Sequence, residues 1–244
     1  DADILLPVTR ALEVSAAGQL PTGFDPKALY PGRGHPRAVQ IALFAANDAL
    51  GSLGIGWDVL MQHVPPDRVS VYAGSAMGQL DQEGNGGLLA SRHRGLRPSS
   101  RQVPMGLAEM AADFVNAYVL GSVGQTGHNM GACATFLYNL RHAMFDIQSG
   151  RSRVALVGGV EAPLCPDVIE GLATMGALAT DKALLELDRH RNAVEPDLRR
   201  ACRPFGENCG FTIAEGGQFA VLMDDALAIE LGASVMGAVT DVQV

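Results

Sequence analysis

No uninterrupted apolar run in this chain approaches the roughly 20 residues that a helix needs to cross a bilayer, and nothing near its start reads as a signal peptide. A membrane is therefore not an expected partner. The chain opens on Asp1 instead of Met, which points to a processed or trimmed start. Its four cysteines, Cys133, Cys165, Cys202 and Cys209, contain no CxxC pair and have no histidine at metal-ligand spacing. Neither a metal site nor a disulfide framework is expected, and free thiols in an acidic protein point to the cytoplasm. Cations are scarce too, with 18 Lys and Arg against 26 Asp and Glu for a net charge of −8. Nucleic acid and anionic membranes both require clustered positive charge, so neither is expected. The one local basic run is Arg92, His93, Arg94, Arg97 and Arg101. It reads either as a solvated loop or as a docking spot for an acidic carrier or a phosphate group.

What is present suits a packed α/β protein. The 244 residues are 48% hydrophobic and 18% charged, enough for one substantial core, and 29 glycines with abundant alanine fit close packing of helices on sheets. Apolar spacing predicts helices over residues 36–50 (Ile41, Phe44, Ala45 and Ala49 inward), 107–120, 133–149 and 166–178, and a last one at 225–231. Short apolar runs predict strands over 69–74, 154–158, 218–223 and 235–242. Continuous apolar strands between helices imply a sheet covered on both faces. Residues 1–31 read as an extended lead-in, and the charged stretch 181–200 as an exposed loop or short surface helix.

Residues 127–139, GHNMGACATFLYN, hold the strongest candidate for chemistry. Phe136, Leu137, Leu140, Met144 and Ile147 keep helical spacing, which places Cys133 in the first turn of an amphipathic helix that ends at Gly150. Unpaired N–H groups and the positive end of the helix dipole favour a thiolate there. A free cysteine is more often a small buried hydrophobe. Against that, Gly131, Ala132 and Ala134 are too small to wall in the sulfur.

The strings GACATFLYN, VALVGGVEA, GLATMGALAT and RPFGENCGFTIAEGG follow one another as in the β-ketoacyl-acyl carrier protein synthases, condensing enzymes of the thiolase fold. Upstream, FDPKALYPGRGHPRAVQIALFAANDALGSLGI and YAGSAMGQL match that family's opening segment, first long helix and second strand, so the chain resembles it over residues 24–240. SAAGQLPTGFDP and GACATFLYN are most similar to the long synthases that prime bacterial fatty acid synthesis from acetyl-CoA and malonyl-carrier protein. The resemblance implies a layered α/β/α fold with a mixed sheet, of which residues 32–244 would be the nucleophile-bearing half.

The resemblance also implies that Cys133 accepts the acyl group as a thioester, and that a carbanion from decarboxylated malonyl-carrier protein attacks it. It implies no cofactor, and as partners an acyl carrier protein, an acyl-CoA primer and a second copy of the chain, paired through residues 123–130. Met77 would line the acyl channel and Leu172 would close it, a pair that favours a short primer. Glu215 matches a buried structural or site-supporting carboxylate, with an exposed turn residue as its other reading. The chain departs from the family at Gly206 and Cys209, which stand where acidic residues are usual. The family's two catalytic histidines belong to motifs not found up to Val244, and His128 reads as an ordinary polar loop residue. The chain alone is therefore not expected to condense anything. A cysteine acyl hydrolase and a non-catalytic partner subunit are the alternatives.

Overall fold

The computed structural model describes residues 11–244, so the first part of the expected lead-in, residues 1–10, lies outside the described residues. The chain forms two compact units, one of residues 20–162 with 215–244, the other of residues 11–19 with 163–214.

The larger unit is built on a mixed sheet of β1 (Val69–Gly74), β2 (Thr126–Gly127), β3 (Val154–Glu161) and β4 (Gly216–Met223), in the order β2-β1-β3-β4. β1 runs parallel to β2 and β3, with Val69 opposite Val154, and β4 runs antiparallel to β3, with Val154 opposite Met223. The helices are α1 (Arg37–Gly51), α2 (Trp57–Leu60), α3 (Asn85–Ser91), α4 (Gln102–Met105), α5 (Met110–Val115), α6 (Thr135–Gln148), α7 (Pro166–Thr174), α8 (Asp181–Leu187) and α9 (Asp225–Leu231). Of these, α7 and α8 belong to the smaller unit.

Strand alternation distributes the core between two faces of the sheet. Val69, Val71 and Ala73 of β1, with Val154, Leu156 and Val160 of β3, pack against Val39, Ala42, Leu43 and Ala46 of α1 and Ala111, Ala112 and Val115 of α5. Tyr72, Ala155 and Val157 point the other way, onto Phe136, Leu140, Ala143 and Ile147 of α6. Helices thus cover both faces, as the apolar strands imply. Leu156 is fully buried at the centre, and truncating such a side chain to alanine costs about 2–5 kcal/mol.

Several expectations need correction. Phe44 is exposed where it was placed inward. The buried stripe of α1 runs instead through Val39, Ala42, Leu43, Ala46 and Leu50, and Phe44 stacks edge-on against Phe24 at 4.7 Å. Helix α5 starts at Met110, later than expected, and passes into a wider π turn, Asn116–Leu120, that Gly121 ends at φ +63°. Helix α7 stops at Thr174, and Gly176, at φ +68°, prevents its continuation to residue 178. Residues 235–242 form no strand. Val235 and Met236 are exposed, and an apolar run without a neighbouring edge has no ladder to join.

In the smaller unit, residues 181–200 take the short-helix alternative instead of the loop, with α8 followed by 3-10 turns at Arg189–Arg191 and Leu198–Arg200. Thr180 caps α8 by accepting from the Ala183 N–H at 3.2 Å, and Leu184 and Asp188 are buried. The Asp188 carboxylate gathers Arg191, Arg200 and Arg203, which bends this charged segment around one point. In the same unit Val14 and Ala16 are buried, and Gly18 donates to the Ile213 carbonyl at 2.9 Å.

Candidate active site

Cys133 is exposed and lies in a short 3-10 turn, Ala132–Ala134, that leads into α6. The α-helix proper begins at Thr135, so the thiol sits just ahead of the first helical turn, not within it. The cause is Ala132, whose φ of +48° puts a residue with a Cβ into the left-handed region at a cost of roughly 1–2 kcal/mol. Such strain persists only where surrounding structure fixes it, and it concentrates at functional positions. Here Thr135 does the fixing: its Oγ1 accepts from the Gly131 N–H at 3.1 Å and donates to the Ala132 carbonyl at 2.7 Å. Gly131 has no room for a side chain, because a Cβ there would stand 2.3 Å from the Tyr138 ring.

The inner face of α6 carries a polar seam. Thr135, Asn139 and Asp146 are buried, while Leu137, expected inward, is 42% exposed. Asn139 Oδ1 accepts from the Asn129 backbone N–H at 2.8 Å and from its side-chain amide at 3.2 Å, tying the loop before Cys133 to the helix after it. The Asn129 amide also meets His142 Nδ1 at 3.2 Å, and the His142 ring stacks on Tyr72 at 4.4 Å. The Tyr72 hydroxyl donates to Asp146, whose other oxygen lies 3.1 Å from Arg151 Nε. Burial, reinforced by the Asp146 charge, holds the Tyr72 hydroxyl well above its usual pKa.

His128 proves to be an inward residue. Its ring fills the notch left by Gly74 at the end of β1, where a Cβ would stand 2.2 Å from Nδ1. Its Nε2 is buried without a hydrogen-bond partner. Burial lowers the His128 pKa below its ordinary value, with the Glu109 charge pulling the other way.

Met77 occupies the turn after β1 and is 40% exposed. That turn is tied to Glu161 at the end of β3: Ser75 Oγ donates to Oε2 at 2.8 Å, and the Ala76 N–H donates to Oε1. Glu215 is largely buried and receives both arms of Arg37 together with the Leu20 N–H. Leu172 belongs to the smaller unit, where it packs with Val14, Leu178 and Ile213. Among the described residues no cluster of three or more His, Cys, Asp or Glu side chains could hold a metal ion. A cleft of about 480 Å³ opens beside Tyr30, His35, Arg37 and Asp81; neither Cys133 nor Met77 lines it.

A family model described as the N-terminal domain of β-ketoacyl synthase matches residues 35–228, a span that includes the Cys133 turn, the polar seam and both carboxylates. The chain belongs to the β-ketoacyl synthase family. It is 56% identical over 233 residues to the β-ketoacyl-[acyl-carrier-protein] synthase FabY of Pseudomonas aeruginosa, covering 96% of this chain and 36% of that protein. The crystal structure of the ketosynthase FabY from P. aeruginosa superposes with a TM-score of 0.89 at 55% identity, over 95% of this chain and 36% of that one. A ketosynthase in complex with its type II PKS acyl-carrier protein superposes at a TM-score of 0.68, over 91% of this chain and 50% of that one; at 24% identity this likeness bears on the fold alone. Within this β-ketoacyl synthase domain the structure adds residues without a signal in the apolar pattern, Ser75, Glu161 and the Tyr72–Asp146 pair, and it turns inward a half-buried His128 that reads from sequence as a polar loop residue. One signal was available. Thr135, Asn139, His142 and Asp146 recur at i, i+4, i+7 and i+11, a helical stripe as regular as the apolar one.

Proposed function

We propose that this chain is the nucleophile-bearing part of a β-ketoacyl-acyl carrier protein synthase and that Cys133 carries the acyl primer. One observation supports the reading above all: an exposed thiol on a strained turn ahead of α6, in a chain 56% identical to a relative named as such a synthase. Cys133 Sγ attacks the primer's thioester carbonyl, the bond from carbonyl carbon to the donor sulfur breaks, and the donor leaves as a free thiol. Malonyl-carrier protein then loses carbon dioxide, and the electron pair left on carbon attacks the acyl-cysteine carbonyl. The Cys133 thiolate departs as the carbon–carbon bond closes.

The enolate formed by decarboxylation needs hydrogen-bond donors on its oxygen. The chain spans 36% of its P. aeruginosa relative. We assign the condensation step to the complete enzyme and acyl acceptance to this chain's Cys133. Met77 and Leu172 are assigned to the primer channel, with an acetyl group as the primer, and Glu215 to support of the site. Residues 32–244 are read as one half of the synthase domain, preceded by the lead-in.

For partners, the relative's name supports an acyl carrier protein, and the exposed run from Arg92 to Arg101 offers it a cationic face. An acyl-CoA is the primer donor. A homodimer would pair through residues 123–130, where β2 is a sheet edge and Val123 and Met130 are exposed. Among the described residues no helix is long and apolar enough to cross a membrane, and the cytoplasm is the proposed compartment. The test is acylation: acetyl-CoA should leave a mass adduct on Cys133. Continuous release of free acid from the thioester would instead support a hydrolase.

A further inference from the structure

Glu161 ends β3 with its carboxylate turned into the loop that follows β1. Oε2 accepts the Ser75 hydroxyl at 2.8 Å and Oε1 accepts the Ala76 N–H. Ser75 extends the grip, since its Oγ also accepts from the Gly78 N–H at 2.9 Å and the Met77 N–H at 3.2 Å. Every residue from Ser75 to Gly78 is therefore tied, directly or through one hydroxyl, to a single carboxylate. Gly78 closes the turn at φ +78°, a conformation that side chains rarely adopt.

The carboxylate has a cost. No cation pairs with Glu161 among the described residues, and burial raises its pKa above the ordinary value, opposed by its Ser75, Ala76 and Met77 donors. A buried charge without a counter-ion does not improve stability. What it supplies is a set of short, directional, charge-assisted hydrogen bonds to consecutive donors, which fix one loop conformation.

We propose that Glu161 is a positioning residue for primer length: by pinning the Ser75–Gly78 turn it holds Met77 where a long acyl chain would have to pass. The inference rests on the reading of Met77 as a channel residue. A neutral amide at position 161 keeps one acceptor oxygen for the Ala76 N–H but puts an NH2 group where Oε2 took the Ser75 hydroxyl proton, so the charge-assisted grip on Ser75 is lost, the turn loosens and Met77 can withdraw.

The test compares the complete synthase with its Met77→Ala, Glu161→Gln and double variants. Each is mixed with two-carbon and eight-carbon acyl-CoA in competition, and the two Cys133 adducts are quantified by mass spectrometry. Glu161→Gln is expected to raise the eight-to-two-carbon ratio about tenfold, the scale of discrimination by a few methylenes. The double variant should match Met77→Ala with no further gain. If Met77→Ala shifts the ratio and Glu161→Gln does not, whatever its melting temperature, the role of Glu161 is overturned and the channel reading stands. If Met77→Ala leaves the ratio unchanged, both are overturned. Should Glu161→Gln fail to fold, Ser75→Ala removes a donor from the same carboxylate and must raise the same ratio.

Discussion

Arg37 holds Glu215 with both arms of its guanidinium, Nε donating to Oε2 at 3.0 Å and Nη2 to Oε1 at 3.1 Å. The pair joins the start of α1 to the residue before β4, 178 positions away, and the Leu20 N–H adds a third donor at 3.1 Å. The Arg37 side chain is 32% exposed and that of Glu215 only 11%, so the carboxylate bears most of the desolvation.

Glu215→Gln should lower stability by about 1–3 kcal/mol, less than a fully buried pair because water reaches the arginine. The Arg37 hydrogen bond holds the Glu215 carboxyl below its usual range. With a depressed folded value, its contribution is complete above the unfolded carboxylate's pKa and is lost as pH falls through the folded one. Urea midpoints at pH 7 and pH 3.5 should therefore differ less for the variant than for the parent.

Gly74→Ala drives a methyl group into the His128 ring and should destabilise by about 1–3 kcal/mol. Adding His128→Ala empties the space, so the double variant should be less destabilised than the two single losses summed, a coupling that thermal melts of all four proteins can read.

His128 gives a separate pH signature. Its folded pKa lies below the usual imidazole value, so stability is full above about pH 6.5 and declines as pH falls and the buried ring must take a proton. The difference in unfolding free energy between the parent and His128→Gln should shrink from pH 7.5 to pH 5.5; a constant difference would place the ring in solvent.

Tyr72→Phe leaves the buried Asp146 carboxylate without its phenolic donor. A loss of about 1–3 kcal/mol is expected in urea denaturation, and Asp146→Leu on the Tyr72→Phe background should cost less than on the parent.

Much of the architecture was legible because local and tertiary signals agreed. β1 and α9 fall where their apolar patterns place them, at residues 69–74 and 225–231. The failures have physical causes. Periodicity measures apolar content, so it assigned Leu137 inward and passed over the stripe from Thr135 to Asp146, where hydrogen bonds replace apolar burial. Residues 235–242 satisfy the local pattern of a strand, but pairing depends on a neighbour that sequence pattern does not reveal. The openness of Cys133 followed from its small neighbours, whereas nothing about an alanine announces φ +48° at position 132. The short apolar run predicts a strand that ends at Gly158, three residues before the Glu161 carboxylate that meets Ser75, so apolar pattern alone does not reach that residue.

Cys133 is the proposed acyl acceptor. Incubation with acetyl-CoA followed by peptide mass spectrometry tests it most directly. One acetyl adduct is expected, on the peptide holding Cys133, and none in Cys133→Ala. An unmodified Cys133, or an adduct that persists on Cys165, Cys202 or Cys209 in the variant, would contradict it.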